Sequence, residues 1–204
     1  EEIMYQLIVA FVLLLIFFSI TLLYKLINSQ SEGNKLLAII DKTTLLYNKK
    51  YFLERLENEI KRCDRYNVPL ALILITTTDF NTSKQIKKNE YEDIIKNIAL
   101  VLKETVRETD ILSRSGENEF SAILPFERDE GTSTAIERFK NNLRQEKIFN
   151  NNSCPKVILN FGFAIYPEEA DCRNDLLKRV KENILKTNNK LELLYTTPTS
   201  RNRI

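Results

Sequence analysis

The chain has no histidine and only three cysteines, Cys63, Cys154 and Cys172, which lie far apart and never in a Cys-x-x-Cys spacing. Scattered thiols in odd number support neither a disulfide framework nor a zinc site, and they fit a reducing compartment. Charge of one sign is lacking too. Thirty Lys and Arg against 28 Asp and Glu leave a net charge of +2 over 204 residues, which is no footprint for a nucleic-acid partner. No internal repeat appears. What is there, 43% hydrophobic and 28% charged residues, suits one globular domain with an appendage.

The appendage comes first. Ile3 to Tyr24 is a run of 22 residues without a charge, rich in Leu, Ile, Phe and Val. At about 1.5 Å per residue a helix of this length reaches roughly 33 Å, enough to cross a hydrocarbon core of about 30 Å, so the run predicts a transmembrane helix over 3–24. A cleaved signal peptide fits less well, because the head is Glu1-Glu2 and the exit is Tyr24-Lys25. Lys25, Lys35, Lys42, Lys49 and Lys50 all follow the run, which places the rest of the chain in the cytoplasm by the positive-inside rule. Glu1 is no natural start, so further sequence is expected upstream. Residues 25–40 read as a linker: Asn28 to Asn34 is a polar break, and Lys35 to Ile40 is a short apolar helix. Its pattern suits a signalling helix that pairs between subunits and suits equally a tether docked on its own domain.

Residues 41–204 alternate between helix and strand patterns. Asn48 to Tyr66 carries Phe52, Leu53, Leu56 and Ile60 at helical spacing, stopping before Asn67-Val-Pro69. Leu70 to Ile75 is continuously apolar and reads as a buried central strand. A helix over Tyr91 to Val106 offers Ile94, Ile95, Ile98, Leu100, Leu102 and Val106 as its buried side. Two short apolar runs flank a turn at Gly116, the layout of a β-hairpin. Helix Thr132 to Leu143, strand Val157 to Tyr166 and a last helix from Asp175 with Leu176, Leu177, Val180, Ile184 and Leu185 complete the order. The fold class is α/β, a mixed sheet covered by helices.

Five blocks carry a family resemblance. Asp41-Lys-Thr-Thr-Leu-Leu-Tyr-Asn48 with Lys49-Lys-Tyr-Phe52 is similar to a D-x-L-T-G-L-x-N-R-R-x-F opening. Ser115-Gly-Glu-Asn-Glu-Phe120 resembles the signature turn, Ala135-Ile-Glu-Arg138 an A-x-E-R helix, Asn160 to Pro167 an S-x-G-x-A-x-Y-P strand, and Leu176 to Val180 an L-L-x-x-A helix. In this order the blocks resemble GGDEF domains, the diguanylate cyclases, over about 160 residues, with their nucleotidyl-cyclase or palm-like sheet. The resemblance implies a bacterial protein, and with it the predicted span over 3–24 would be a single pass of the inner membrane.

The same resemblance implies that the cyclase chemistry is missing. Family members hold divalent metal with carboxylates at the end of the first strand and in the signature turn, where hard Mg²⁺ takes oxygen anions. Here the strand end is Thr76-Thr-Thr78, the turn letter is Asn118, and Glu117 replaces the second glycine beside Gly116, while Glu119 and Phe120 survive. Lys84 and Asn89 stand where guanine is read, Asn188 replaces a phosphate-binding lysine, and Arg201 stands in a Ser200-Arg-Asn-Arg203 that resembles the closing G-R-N-R after an insertion. No catalytic residue, metal or cofactor is expected.

What survives is the R-x-x-D element that binds cyclic di-GMP as an inhibitor in the family. Arg107 and Asp110 keep its spacing to Gly116, and Arg138 stands at the helix arginine that completes it. A guanidinium fork suits guanine O6/N7 and phosphate oxygens, and a carboxylate suits guanine N1–H and N2–H. As residues alone, Arg107 and Asp110 fit a solvated pair at a helix end better than a binding site, and it is the third arginine within the family match that favours binding. Three functions follow: a non-catalytic cyclic di-GMP receptor or signalling scaffold at the membrane; a structural partner, as a homodimer or a membrane-complex subunit, that binds no nucleotide; or a cyclase with an altered site.

Overall fold

The computed structural model describes residues 39–78, 88–146, 156–186 and 189–194, together with residues 2, 4, 6, 11 and 13–25 near the N-terminus. The chain divides into two compact units, Glu1–Ile39 and Ile40–Ile204. In the first, residues 13–25 are helical, and the large apolar side chains from Phe11 to Tyr24 are each at least 48% exposed, on every side of the helix. No helix among the described residues is long and apolar enough to cross a membrane. The predicted span lies partly outside those residues, as does most of the predicted linker 25–40.

The second unit is built on β1 (Tyr47–Asn48), α1 (Lys49–Tyr66), β2 (Leu70–Thr78), α2 (Lys88–Thr105), β3 (Ile111–Gly116), β4 (Glu119–Pro125), α3 (Asp129–Gln145), β5 (Lys156–Tyr166), α4 (Arg173–Lys186) and β6 (Lys190–Leu194). The strands form one sheet in the order β1-β3-β4-β2-β5-β6, with β1 parallel to β3 and the other pairs antiparallel. Strand β2 lies between β4 and β5 and has α-helices on both faces. Ala71, Ile73 and Ile75 point to the layer of α2 and α3, with Ile94, Ile95, Ile98, Ile136 and Phe139. Leu70, Leu72 and Leu74 point to the layer of α1 and α4, with Phe52, Leu56, Leu176 and Val180. A strand buried on both faces has no polar side to display, which is why its sequence is an unbroken apolar run.

Local chemistry sets the ends of α1. The Asn48 side chain accepts from Tyr51 N–H at 3.0 Å as N-cap, and Asn67 closes the helix in the left-handed region at φ 52°. In the same layer α4 comes so close to β5 that a β-carbon on Gly162 would fall 2.7 Å from the Ile184 backbone nitrogen. Only glycine permits that approach.

Several expectations are corrected. Strand β2 runs through Thr78, because β-branched threonines continue the ladder against Asn160, Leu159 and Ile158 of β5. Leu100 is exposed and Val101 is buried, since a helix whose inward face holds Ile94, Ile98 and Leu102 turns residue 100 toward solvent. Leu185 is exposed for the same reason, one step beyond Ile184. Strands β1 and β6 were not expected. β1 is two residues long, and in β6 the buried Leu191 and Leu193 alternate around Glu192, a period-2 signal visible in the sequence.

Leu45 holds φ 58° and is exposed, at the position where the family opening carries glycine. The left-handed region costs an L-residue about 1–2 kcal/mol, and glycine's extra freedom in the unfolded chain returns part of that. Leu45→Gly should therefore stabilise the domain by about 0.5–1 kcal/mol in urea unfolding; a loss of stability would mean that Leu45 makes a contact worth more than the strain.

Candidate functional site

The signature turn sits at the tip of the β3–β4 hairpin, with a bulge between Arg114 and Gly116 that brings Gly116 opposite Glu119. Its side chains are tied down. Arg114, side chain 11% exposed, pairs with Asp41 at 3.2 Å and donates to the Glu117 carbonyl at 2.9 Å. Asp41 in turn accepts from the Thr44 N–H and hydroxyl. Burial pushes the Asp41 carboxyl up, but the bonds from Thr44 and Arg114 outweigh it and hold it below its ordinary value. From α2, the Tyr91 hydroxyl reaches the Glu117 carbonyl at 3.0 Å and the Asn118 side-chain amide. The Asn118 carbonyl accepts from the Thr77 N–H at 2.9 Å. Glu119 bonds Ser115 at 2.8 Å, and Ser115 bonds Ser121 at 2.6 Å, so the surviving carboxylate belongs to a hydroxyl cluster on the hairpin. Phe120 is fully buried in the core.

The sheet register places Thr76 directly across from Glu119 and beside Asn160, while Thr78 accepts from the Asn160 amide at 2.9 Å. The strand end and the turn are thus brought together as the resemblance implies. Two threonine hydroxyls and an amide already engaged by Tyr91 do not fit a magnesium ion, which wants carboxylate oxygens in octahedral array. Among the described residues no group of three or more His, Cys, Asp or Glu side chains could hold a metal. Asn89 lies exposed in the first turn of α2. Lys84, Asn188 and Arg201 lie outside the described residues.

Arg107, Asp110 and Arg138 come together at the opposite end of the same hairpin. Asp110 accepts from the Arg107 backbone N–H at 2.9 Å, a short local bond that fixes the turn into β3. Burial raises the Asp110 carboxyl above its ordinary value, and the Arg107 N–H bond and the charges of Arg107 and Arg138 offset this only in part. Arg138, from α3, has a buried Nε with no hydrogen-bond partner. Such orphaned donors are rare in folded proteins; among the described residues the Nε of Arg55 in α1 is another, away from this cluster. One member of the cluster was missed. Glu127, which reads in sequence as part of a charged turn, pairs with Arg107 at 2.5 Å. Twenty residues separate the two, and no short-range pattern could have joined them.

From α2, the Tyr91 side chain reaches both residues of the turn. Tyr91→Phe removes one hydroxyl and should lower stability by about 0.5–1.5 kcal/mol, the scale of one hydrogen bond, with a larger rise in amide exchange at Glu117 and Asn118 than elsewhere. Unchanged exchange at those two residues would show that the turn is held without it.

Comparisons with known proteins agree with this geometry. A family model described as "Diguanylate cyclase, GGDEF domain" matches residues 38–191. Diguanylate cyclase TpbB of Pseudomonas aeruginosa is 24% identical over 139 residues, covering 67% of this chain and 32% of TpbB. Response regulator PleD of Caulobacter vibrioides is 25% identical over 151 residues, covering 72% and 33%. The chain therefore spans about a third of the length of these curated relatives. Among solved structures, the coiled coil and GGDEF domain of DgcB from Caulobacter crescentus, in complex with c-di-GMP, aligns with a TM-score of 0.70 at 18% identity, covering 81% of this chain and 88% of that one. Diguanylate cyclase SiaD of Pseudomonas aeruginosa, in complex with its activator SiaC, aligns at 0.67 and 21% identity, covering 80% and 63%. With the family model spanning β1 to β5, the start of β6 and both halves of the signature hairpin, the chain belongs to the GGDEF domain family of diguanylate cyclases.

Proposed function

We propose that this chain is a membrane-anchored GGDEF domain without cyclase activity that acts as a receptor for cyclic di-GMP through Arg107, Asp110 and Arg138. The orphaned, buried Nε of Arg138, whose charge is felt by the Asp110 carboxyl, carries this reading. It is a donor held ready for an acceptor that the protein does not supply, and a cyclic dinucleotide offers phosphate oxygens and guanine O6/N7 for it. The Asp110 carboxylate supplies the complementary acceptor for guanine N–H groups. The DgcB structure supports the idea that this fold accommodates such a ligand. Loss of cyclisation is argued from Thr76, Thr78 and Asn118, which offer no anionic oxygen where a metal would neutralise charge on the reacting phosphates.

Anchoring rests on the uncharged run Ile3 to Tyr24 and on the exposed apolar surface of residues 13–24. A helix that is apolar on every side needs a nonaqueous surrounding. With the lysines after the run, the domain faces the cytoplasm of the bacterial inner membrane. The full chain should stay with the membrane pellet after alkaline carbonate washing; release to the supernatant would overturn the anchor.

A second reading, a domain kept for protein contacts alone, is favoured by one observation, the internal pairing of Arg107 with Glu127. Calorimetric titration decides between them. The full chain should bind cyclic di-GMP, and Arg107→Ala should weaken binding by about 1.5–3 kcal/mol, the scale of hydrogen bonds to charged groups. Arg138→Ala should weaken it less, while Arg144→Ala, further along the same helix, should leave it unchanged. GTP with Mg²⁺ or Mn²⁺ should yield no cyclic di-GMP. Absence of binding at high micromolar ligand makes the structural reading the better one.

Asp110 gives a separate test. Burial raises its folded pKa above the ordinary carboxylate value, so the ionised carboxylate costs stability at neutral pH, and that cost is relieved as pH falls through the raised value. Asp110→Asn should raise Tm at pH 7, leave it nearly unchanged at pH 3, and weaken the ligand, the pattern of a residue kept for binding. A lower Tm at pH 7 would assign Asp110 a structural role instead.

A further inference from the structure

The Arg107 guanidinium already holds an anion. Glu127 reaches it from the loop between β4 and α3, with Oε1 on Nη1 at 2.5 Å, and the Glu127 side chain is only 18% exposed against 58% for Arg107. Its second oxygen lies against Gly131 in the first turn of α3, where a β-carbon would fall 1.8 Å from Oε2. Glycine at 131 is thus what gives the carboxylate its seat. The backbone before it is bent to the same end. Phe126 holds φ 64° and is half exposed, a conformation that persists only when its surroundings impose it. The Phe126 N–H donates to the Pro69 carbonyl at 2.9 Å, the Arg62 guanidinium of α1 lies 5.1 Å above the Phe126 ring, and the next residue but one, Arg128, pairs with Glu168. Three consecutive residues are fastened to three different parts of the domain, and the middle one is aimed at Arg107.

We propose that Glu127 is a built-in competitor for Arg107: its carboxylate occupies the place of the ligand's phosphate or guanine edge, and cyclic di-GMP binds only by displacing it. The inference rests on the receptor reading above. It adds regulation to that site, because whatever moves residues 126–128 sets how much of Arg107 is free. The carboxylate is an apt stand-in. It presents two anionic oxygens to a guanidinium fork as a phosphate does, and it is tethered, so its effective concentration does not dilute away.

The test uses two variants that remove the competitor by different routes. Glu127→Gln takes away the charge. Gly131→Ala keeps the charge but puts a methyl where Oε2 lies, and the flexible end of Glu127 must leave; alanine in a helical turn does not endanger folding. Each should tighten cyclic di-GMP binding to the full chain about two- to fivefold, the scale of an exposed ion pair, with Glu130→Gln as the control for charge alone. Binding in both variants with a silent wild type would support the proposal as well. Tightening by Glu127→Gln with Gly131→Ala at the wild-type level would overturn it, since the effect would then be long-range charge. Equal binding by all three proteins overturns the competitor and leaves the receptor reading standing. No binding by any of them overturns the receptor reading, and the competitor with it.

Discussion

Burial of β2 on both faces is the constraint on which the rest of the domain depends. Six consecutive residues, Leu70 to Ile75, are buried, and each large side chain contributes about 1.5–3 kcal/mol on leaving water. The strand can meet that burial only by pairing along both edges and taking helices on both faces. Its neighbours are therefore β4 and β5, and the register with β4 carries Thr76 to the position across from Glu119. A slip of one residue would send Ala71, Ile73 and Ile75 to the wrong layer, so the hairpin tip has no freedom to sit elsewhere. The place of the signature turn is a by-product of core packing.

Two ends of one hairpin have taken different chemistry. At the tip, Arg114, Asp41, Tyr91 and Thr77 saturate the turn with internal hydrogen bonds. These contacts hold the turn to α2 and to the loop before β1. At the base, polarity is left unfinished: a raised carboxyl, an unpartnered guanidinium nitrogen and an ion pair with one exposed partner. Rigid, satisfied polar networks specify a structure, whereas partly satisfied ones are unstable unless something completes them. That contrast is the physical basis for reading the base of the hairpin, and not its tip, as the place where this protein meets a ligand.

Most of the element order was legible. Four helices, the central strand, the hairpin and the long strand before Pro167 follow from periodicity, capping asparagines and continuous apolar runs, because those signals are local. The misses have one cause. Whether Leu100 or Val101 is buried depends on which way α2 is rolled on the sheet, and β1 is a strand only because β3 lies beside it. Threonines 76 to 78 change polarity without leaving the ladder, so the strand outlasts its hydrophobic signal.

The residues of the candidate site divide in the same way. Sequence by itself determined that Arg107, Asp110 and Arg138 are present at the spacing of a known element, that Thr76, Thr78 and Asn118 are not carboxylates, and that an uncharged run of membrane length precedes the domain. These are statements of residue type and spacing, and a linear chain carries them in full. Only the tertiary structure decided that Glu127 sits on Arg107, that Gly131 makes room for it, that the buried Nε of Arg138 has no hydrogen-bond partner and that Tyr91 closes over the turn. Each of these joins residues from different elements, and the free energy that selects them comes from burial in the core, where no single segment of the sequence records it.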